Sequence, residues 1–63
     1  MIEPTTKDIG KLVWWRDPHD MMRQEKGVIT SFNERFVFVR YGDGDTSAAT
    51  DRLDLYWPNA DGL

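Results

Sequence analysis

Hydrophobic residues form short runs separated by turn residues, a pattern typical of β-strands rather than helices. Three runs are rich in β-branched and aromatic residues, which favour strands: 10–16, 26–32 and 35–41. A run of small residues, 46–50, and the pair 56–57 complete five predicted strands. Asn33 and Glu34 form a two-residue turn signal, so the second and third strands are predicted to pair as a β-hairpin.

The segments between the strands predict one small domain. Residues 17–25 begin with Asp17 and Pro18, which favour a turn, and we expect a long exposed loop with at most one helical turn over 20–25. Residues 51–55 are typical of a single 3₁₀ turn capped by Asp51, before the last strand. Five short strands with short turns predict an all-β barrel, whose closure would remove exposed sheet edges.

Domain boundaries follow from composition. Residues 1–8 are polar and without periodicity, so we expect a partly ordered lead-in. The barrel is predicted to cover residues 9–57, and residues 58–63 are expected to form a flexible C-terminal tail. No apolar run approaches the length of a membrane span, and the N-terminus has no signal-peptide pattern, so we expect a cytoplasmic protein without a membrane partner.

Three segments resemble the Tudor and KOW-type SH3-like barrels: Gly27-Val28-Ile29, the run from Phe36 to Asp43, and the run from Asp51 to Leu55. The chain from residue 9 to 57 is also similar to small bacteriophage and prophage proteins that carry nearly the same runs. The resemblance implies a five-stranded SH3-like barrel with one 3₁₀ turn before the last strand. It also implies a phage or prophage origin, with action in the host cytoplasm.

Aromatic residues make up 13% of the chain, more than one small core needs. In Tudor barrels the residue that matches Tyr41 joins aromatic residues near the first loop in a cage for methylated lysine or arginine, through cation–π attraction. Here Trp14 and Tyr41 are the candidates, but Asp43 replaces the usual asparagine and no aromatic residue comes shortly before Gly27. Core packing is the favoured interpretation, with a partner groove and a cage as alternatives.

Other chemistries find little support. The chain has no cysteine, which excludes disulfides and zinc–thiolate sites. Its only histidine, His19, lies between Asp17 and Asp20 and could bind a metal weakly, but without a second histidine or a cysteine a solvated loop is the favoured interpretation. Residues 43–54 place oxygen groups in a calcium-loop register, but Ala48 stands where that loop requires glycine. A solvated turn is therefore the favoured interpretation of this segment.

Charge leaves one alternative partner open. The net charge of −3 counts against binding nucleic acid through phosphates, although Arg16 and Arg40 beside Trp14 combine cations with a stacking ring. The sequence therefore predicts a non-catalytic binding module without cofactor or metal, monomeric or homodimeric, that engages a protein. A nucleic-acid-binding barrel is the alternative. The predicted partner-binding residues are Trp14, Arg16, Arg40, Tyr41 and Asp43.

Overall fold

A single antiparallel sheet of five strands forms the body of the protein in the computed structural model, which describes residues 1–58. The strands are β1 (Leu12–Arg16), β2 (Gln24–Phe32), β3 (Phe36–Tyr41), β4 (Ala48–Asp51) and β5 (Leu55–Tyr56), with 3₁₀ turns at Thr6–Asp8 and Arg52–Asp54. Their order across the sheet is β4-β3-β2-β1-β5. The all-β prediction and the hairpin of β2 with β3 are confirmed.

The predicted 3₁₀ turn before the last strand is also confirmed. It spans Arg52–Asp54, and the Asp51 side chain accepts a hydrogen bond from the Leu53 backbone N–H at 2.9 Å. This bond satisfies a donor that the short turn leaves free. The turn therefore changes the chain direction between β4 and β5 where the sequence indicated.

The connection between β1 and β2 is shorter than predicted. Gln24 and Glu25 belong to β2, where they pair with Arg16 and Trp15. The Asp17 N–H donates to the Arg23 carbonyl at 3.0 Å, which closes the hairpin. Side-chain carboxylates within the turn accept backbone N–H groups at 2.8 and 3.1 Å. These local bonds replace the helical turn considered for residues 20–25.

The core lies on one face of the sheet. Val13, Ile29, Val37, Val39 and Leu55 are each 0% exposed, and they occupy the inward positions of four strands. This is the face that alternation along β1 and β3 predicts for the valines. The core is therefore made of branched aliphatic side chains, and the aromatic residues that pack against it are Trp15, Phe32, Tyr41 and Trp57.

A β-bulge changes the inward set along β2. The register shifts between Ile29 and Ser31, so that Thr30 is the extra residue. The Thr30 hydroxyl donates to the Phe38 carbonyl at 3.1 Å and bonds the Ser47 hydroxyl at 2.6 Å. Both Ile29 and Phe32 consequently contact the core, although they are an odd number of residues apart.

The N-terminal segment packs against the sheet. Ile2 is 2% exposed, Pro4 is buried, and the Ile2 N–H donates to the Arg52 carbonyl at 3.2 Å. The 3₁₀ turn at Thr6–Asp8 has a capping box with Thr5, whose N–H donates to Asp8 at 2.8 Å.

The predicted C-terminal tail, 58–63, lies outside the described residues apart from Pro58.

The predicted closure of the barrel is wrong. Across residues 1–58, β4 and β5 form no ladder with each other and are the two edges of the sheet. The turn at Arg52–Asp54 separates them, and β5 has only two residues, both paired with β1. Among the described residues there is no helix long and apolar enough to cross a membrane.

Candidate functional site

Two of the predicted partner-binding residues, Trp14 and Tyr41, lie on opposite faces of the sheet. Tyr41 follows the inward valines of β3 and pairs with Gly27, against which its ring packs. Trp14 pairs with Lys26 on one side and Tyr56 on the other, on the outer face. The predicted set of five residues therefore does not form one surface.

On the inner face, Tyr41 contributes to a pocket of about 360 Å³ that residues of β1, β2, β3, β4 and the following 3₁₀ turn line together. The pocket combines two aromatic side chains, three carboxylates and small residues of β4. Its lining residues are Trp15, Glu25, Tyr41, Ala48, Ala49, Thr50, Asp51 and Asp54. All four residues of the edge strand β4 thus line this pocket.

Tyr41 is held in this pocket by its hydroxyl group. The hydroxyl bonds the Thr50 side-chain oxygen at 2.8 Å, and Thr50 is only 7% exposed. Burial raises the pKa of Tyr41 above its usual value of 10.0, the bond to Thr50 opposes this, and the negative charges of Glu25 and Asp54 raise the pKa further. Both carboxylates are therefore close enough to act on the phenol.

Glu25 and Asp54 have no neutralising partner within residues 1–58, where the one ion pair joins Lys11 and Asp8 at 3.0 Å. Asp51 is already engaged by the backbone of the 3₁₀ turn. Two negative charges beside two aromatic rings create a negative potential, which favours a bound cation. Chemically, the pocket is suited to a positively charged group.

The outer face has the opposite charge. Arg16 lies over the Tyr56 ring at 4.9 Å, Lys26 pairs with Trp14 across β1 and β2, and Arg40 pairs with Val28. Glu25 is the only carboxylate in β1, β2 and β3, and it points inward. The three strands therefore present cations and aromatic rings outward.

Asp43 belongs to neither surface. It is exposed in the connection from β3 to β4, which begins at Gly42, a glycine with a positive φ of 60°. His19 is exposed in the turn between β1 and β2. Over the described part of the chain, no three histidine or acidic side chains come together as a metal site. The segment 43–54 forms a turn, β4 and a 3₁₀ turn.

All of the lining residues of the pocket except Tyr41 were absent from the predicted set, among them Trp15, Glu25 and Asp54. Alternation did carry a signal for Trp15, because it places this ring with Val13, and places Tyr41 with Val37 and Val39. Both valine sets are core, so the two rings had to share a face. Nothing comparable identifies Asp54, whose position depends on the turn after β4.

The comparisons with known proteins leave the chain without relatives: no family model matches it, and neither a curated protein nor a solved structure does.

Tyr41 titration offers a direct check of the pocket. We expect one tyrosine absorbance transition of the folded protein to occur above pH 10, and Tyr41→Phe to remove it. In the unfolded chain the phenol of Tyr41 has a pKa of about 10, below its pKa in the folded protein. The free energy of unfolding therefore falls as the pH rises from about 10 through the pKa of the folded state. Circular dichroism at each pH establishes that the chain is still folded. A late transition that persists in Tyr41→Phe would contradict the assignment.

Proposed function

We propose that this protein is a non-catalytic binding module whose open five-stranded sheet is of the SH3-like, Tudor or KOW kind, and whose pocket takes a basic side chain of a partner protein. One observation carries the proposal: Glu25 and Asp54 lie without neutralising partners at a pocket walled by Trp15 and Tyr41. A lysine or arginine side chain supplies the missing positive charge.

The pocket chemistry favours a cation that donates hydrogen bonds. Tudor cages surround methylated ammonium groups with aromatic rings, whereas Glu25 here provides a carboxylate shortly before Gly27, where such a ring is expected. A carboxylate gains more from an N–H donor than from a methyl group. We therefore assign the pocket to unmodified arginine or lysine rather than to a fully methylated side chain.

Such a pocket provides specificity more than affinity. A cation–π contact at an exposed site contributes about 0.5–1 kcal/mol, and each exposed ion pair about 0.2–1 kcal/mol. For two rings and two carboxylates these contributions sum to at most about 4 kcal/mol, so a single basic side chain would bind no more tightly than roughly 1 mM. In the setting that the resemblance implies, the module is a phage or prophage accessory protein in the host cytoplasm, and further contacts with a host or phage protein supply the remaining affinity.

A matched pair of small molecules tests the proposal. We expect N-acetyl-arginine amide to shift the NMR signals of Trp15 and Tyr41, and the citrulline analogue, which has similar shape but no charge, to shift them far less. Glu25→Gln and Asp54→Asn should each weaken arginine binding roughly two- to fivefold. Asp45→Asn is the control, because Asp45 is an exposed carboxylate that does not line the pocket. Equal binding of arginine and citrulline would overturn the proposal.

A second function, nucleic-acid binding, is favoured by the cations and rings of the outer face. Arg16 on Tyr56, with Trp14 alongside, could combine phosphate contacts with base stacking. Fluorescence anisotropy with a labelled single-stranded oligonucleotide would show salt-dependent binding that Arg16→Gln and Arg40→Gln weaken and Lys7→Gln does not. Absence of binding at low ionic strength removes this function.

A further inference from the structure

We propose that the pocket and the free edge of β4 form one groove, in which an extended segment of the partner pairs with β4 as a sixth strand. An arginine or lysine of that segment enters the pocket. This inference rests on the proposed function and adds the way in which the partner's main chain is held.

The two edges of the sheet differ in how they are protected. β5 has two residues and is soon followed by Pro58, which cannot donate a backbone hydrogen bond. β4 has four residues, Ala48–Asp51, without the lysine, proline or bulge that commonly blocks strand addition. In the part of the chain that the structure describes, no strand pairs with its outer side.

Hydrogen bonds elsewhere in the sheet fix which backbone groups of β4 point outward. The Ile29 N–H donates to the Lys11 carbonyl at 3.0 Å, and the Ile29 carbonyl accepts from Gly10 at 2.7 Å. The backbone groups of Ile29 thus face away from β3, although Ile29 pairs with Val39. In an antiparallel ladder the groups of Val39 then point to the other side, toward β4.

The same alternation continues into β4. Val39 pairs with Ala48, and because the backbone groups of Val39 point toward β4, this pair exchanges hydrogen bonds. In an antiparallel ladder every second pair does so. The pair of Val37 with Thr50 is therefore also hydrogen-bonded, and the pair of Phe38 with Ala49 between them is not. The Phe38 carbonyl accepts from Thr30 on β2, consistent with this direction. The N–H and carbonyl of Ala49 therefore point to the outer edge, where a further strand can bond them.

The residues of this edge also line the pocket. Ala48, Ala49, Thr50 and Asp51 all contribute to its wall, and the two alanines are exposed and too small to cover it. A strand that lies along β4 sends alternate side chains to the same face as the inward residues of β4. A basic side chain on that face reaches the pocket while the main chain bonds Ala49.

Charge argues for a basic partner segment instead of a second copy of this chain. Antiparallel pairing of two β4 strands would bring the acidic pockets of both copies side by side. The segment Ala48–Asp51 carries no cation to offset them. An extended segment with a central arginine or lysine complements the same charges.

Blocked peptides test this binding mode. The probe is an acetylated and amidated heptapeptide, Thr-Val-Thr-Arg-Thr-Val-Thr, which we expect to bind about tenfold more tightly than N-acetyl-arginine amide. Two forms of the peptide carry methyl groups on backbone nitrogens, one at the arginine and the other at both residues next to it. Because successive N–H groups of an extended strand point to opposite edges, the two forms block opposite edges of the peptide. We expect one of them, and not the other, to lose the tenfold gain, because a strand pairs through alternate N–H groups.

Ala49→Pro tests the protein side of the contact. The proline removes an N–H that β3 does not use, so the sheet is retained. We expect this variant to lose the heptapeptide's gain, so that it binds the heptapeptide and N-acetyl-arginine amide about equally. If Ala49→Pro does not fold, the N-methylated peptides still decide the result.

The inference is overturned if the heptapeptide binds no more tightly than N-acetyl-arginine amide, or if both N-methylated forms bind as tightly as the unmodified heptapeptide. It is also overturned if a heptapeptide with citrulline in place of arginine binds as tightly as the arginine heptapeptide. A dimer in sedimentation that Ala49→Pro dissociates would assign the edge to a second copy, which also overturns it. The arginine and citrulline amides report on the pocket alone, so failure at the edge is distinguished from failure of the proposed function.

Discussion

Leu55→Ala is expected to lower the free energy of unfolding by about 2–5 kcal/mol, because it removes a fully buried side chain and leaves a cavity. Leu55 is 0% exposed and belongs to β5. This strand has only two residues, and both pair with β1. A chain of 63 residues has about 3–9 kcal/mol of stability in total. The substitution therefore removes a large fraction of it, and urea unfolding followed by circular dichroism measures the loss.

Leu53→Ala is the matched control for this prediction. Leu53 lies two residues earlier, in the 3₁₀ turn, and its side chain is 61% exposed. Its backbone N–H, which bonds Asp51, is unchanged by the substitution. We expect a change within about 0.5 kcal/mol. Equal losses for the two leucines would show that the burial pattern of this segment is wrong.

Strand chemistry predicted most of the sheet because the local signals agree with one another. The residues from Phe36 to Tyr41 are nearly all strong strand formers, and alternation places Val37 and Val39 on one face, which is the core face in the structure. Asp51 was identified as a cap because a short side-chain acceptor ahead of a turn has few other uses. These features depend only on neighbouring residues.

Features that depend on distant contacts were not predicted. The bulge at Thr30 allows both Ile29 and Phe32 to contact the core, although strict alternation would place them on opposite faces. The Thr30 side chain bonds Phe38 on β3 and Ser47 just before β4. The polar segment 1–8 gave no sign that Ile2 would be buried beside Arg52. No local pattern carries this information, because each case depends on which strand ends face each other.

The predicted partner-binding residues lie apart for a different reason. Trp14 and Tyr41 were chosen by analogy with an aromatic cage, although alternation places them on opposite faces, and Trp15 is the ring that joins Tyr41. The acidic character of the pocket depends on Asp54 after β4, which the sequence could not connect with Glu25 on β2. Alternation applied to each strand would have placed Trp15 and Tyr41 on the same face, but it would not have identified Asp54.

Gly27→Ala is expected to damage both the fold and the pocket. A Cβ atom at this position would overlap Val39 Cγ1 and lie 2.9 Å from Tyr41 Cδ1 and 3.0 Å from the Arg40 carbonyl oxygen. Val39 is fully buried and cannot move without disturbing the core, while Tyr41 would be pushed from its bond with Thr50. Overpacking of this kind costs about 1–3 kcal/mol.

Two measurements separate the effects on fold and pocket. Urea unfolding gives the stability loss of Gly27→Ala, and NMR titration of its folded population with N-acetyl-arginine amide should give weaker binding than the wild type. Gly44→Ala is the control, because its new Cβ would lie 3.5 Å from the Tyr41 carbonyl oxygen, an ordinary contact. If Gly27→Ala kept wild-type stability and binding, the ring of Tyr41 would not pack on this glycine, and the pocket described here would lose one of its two aromatic walls.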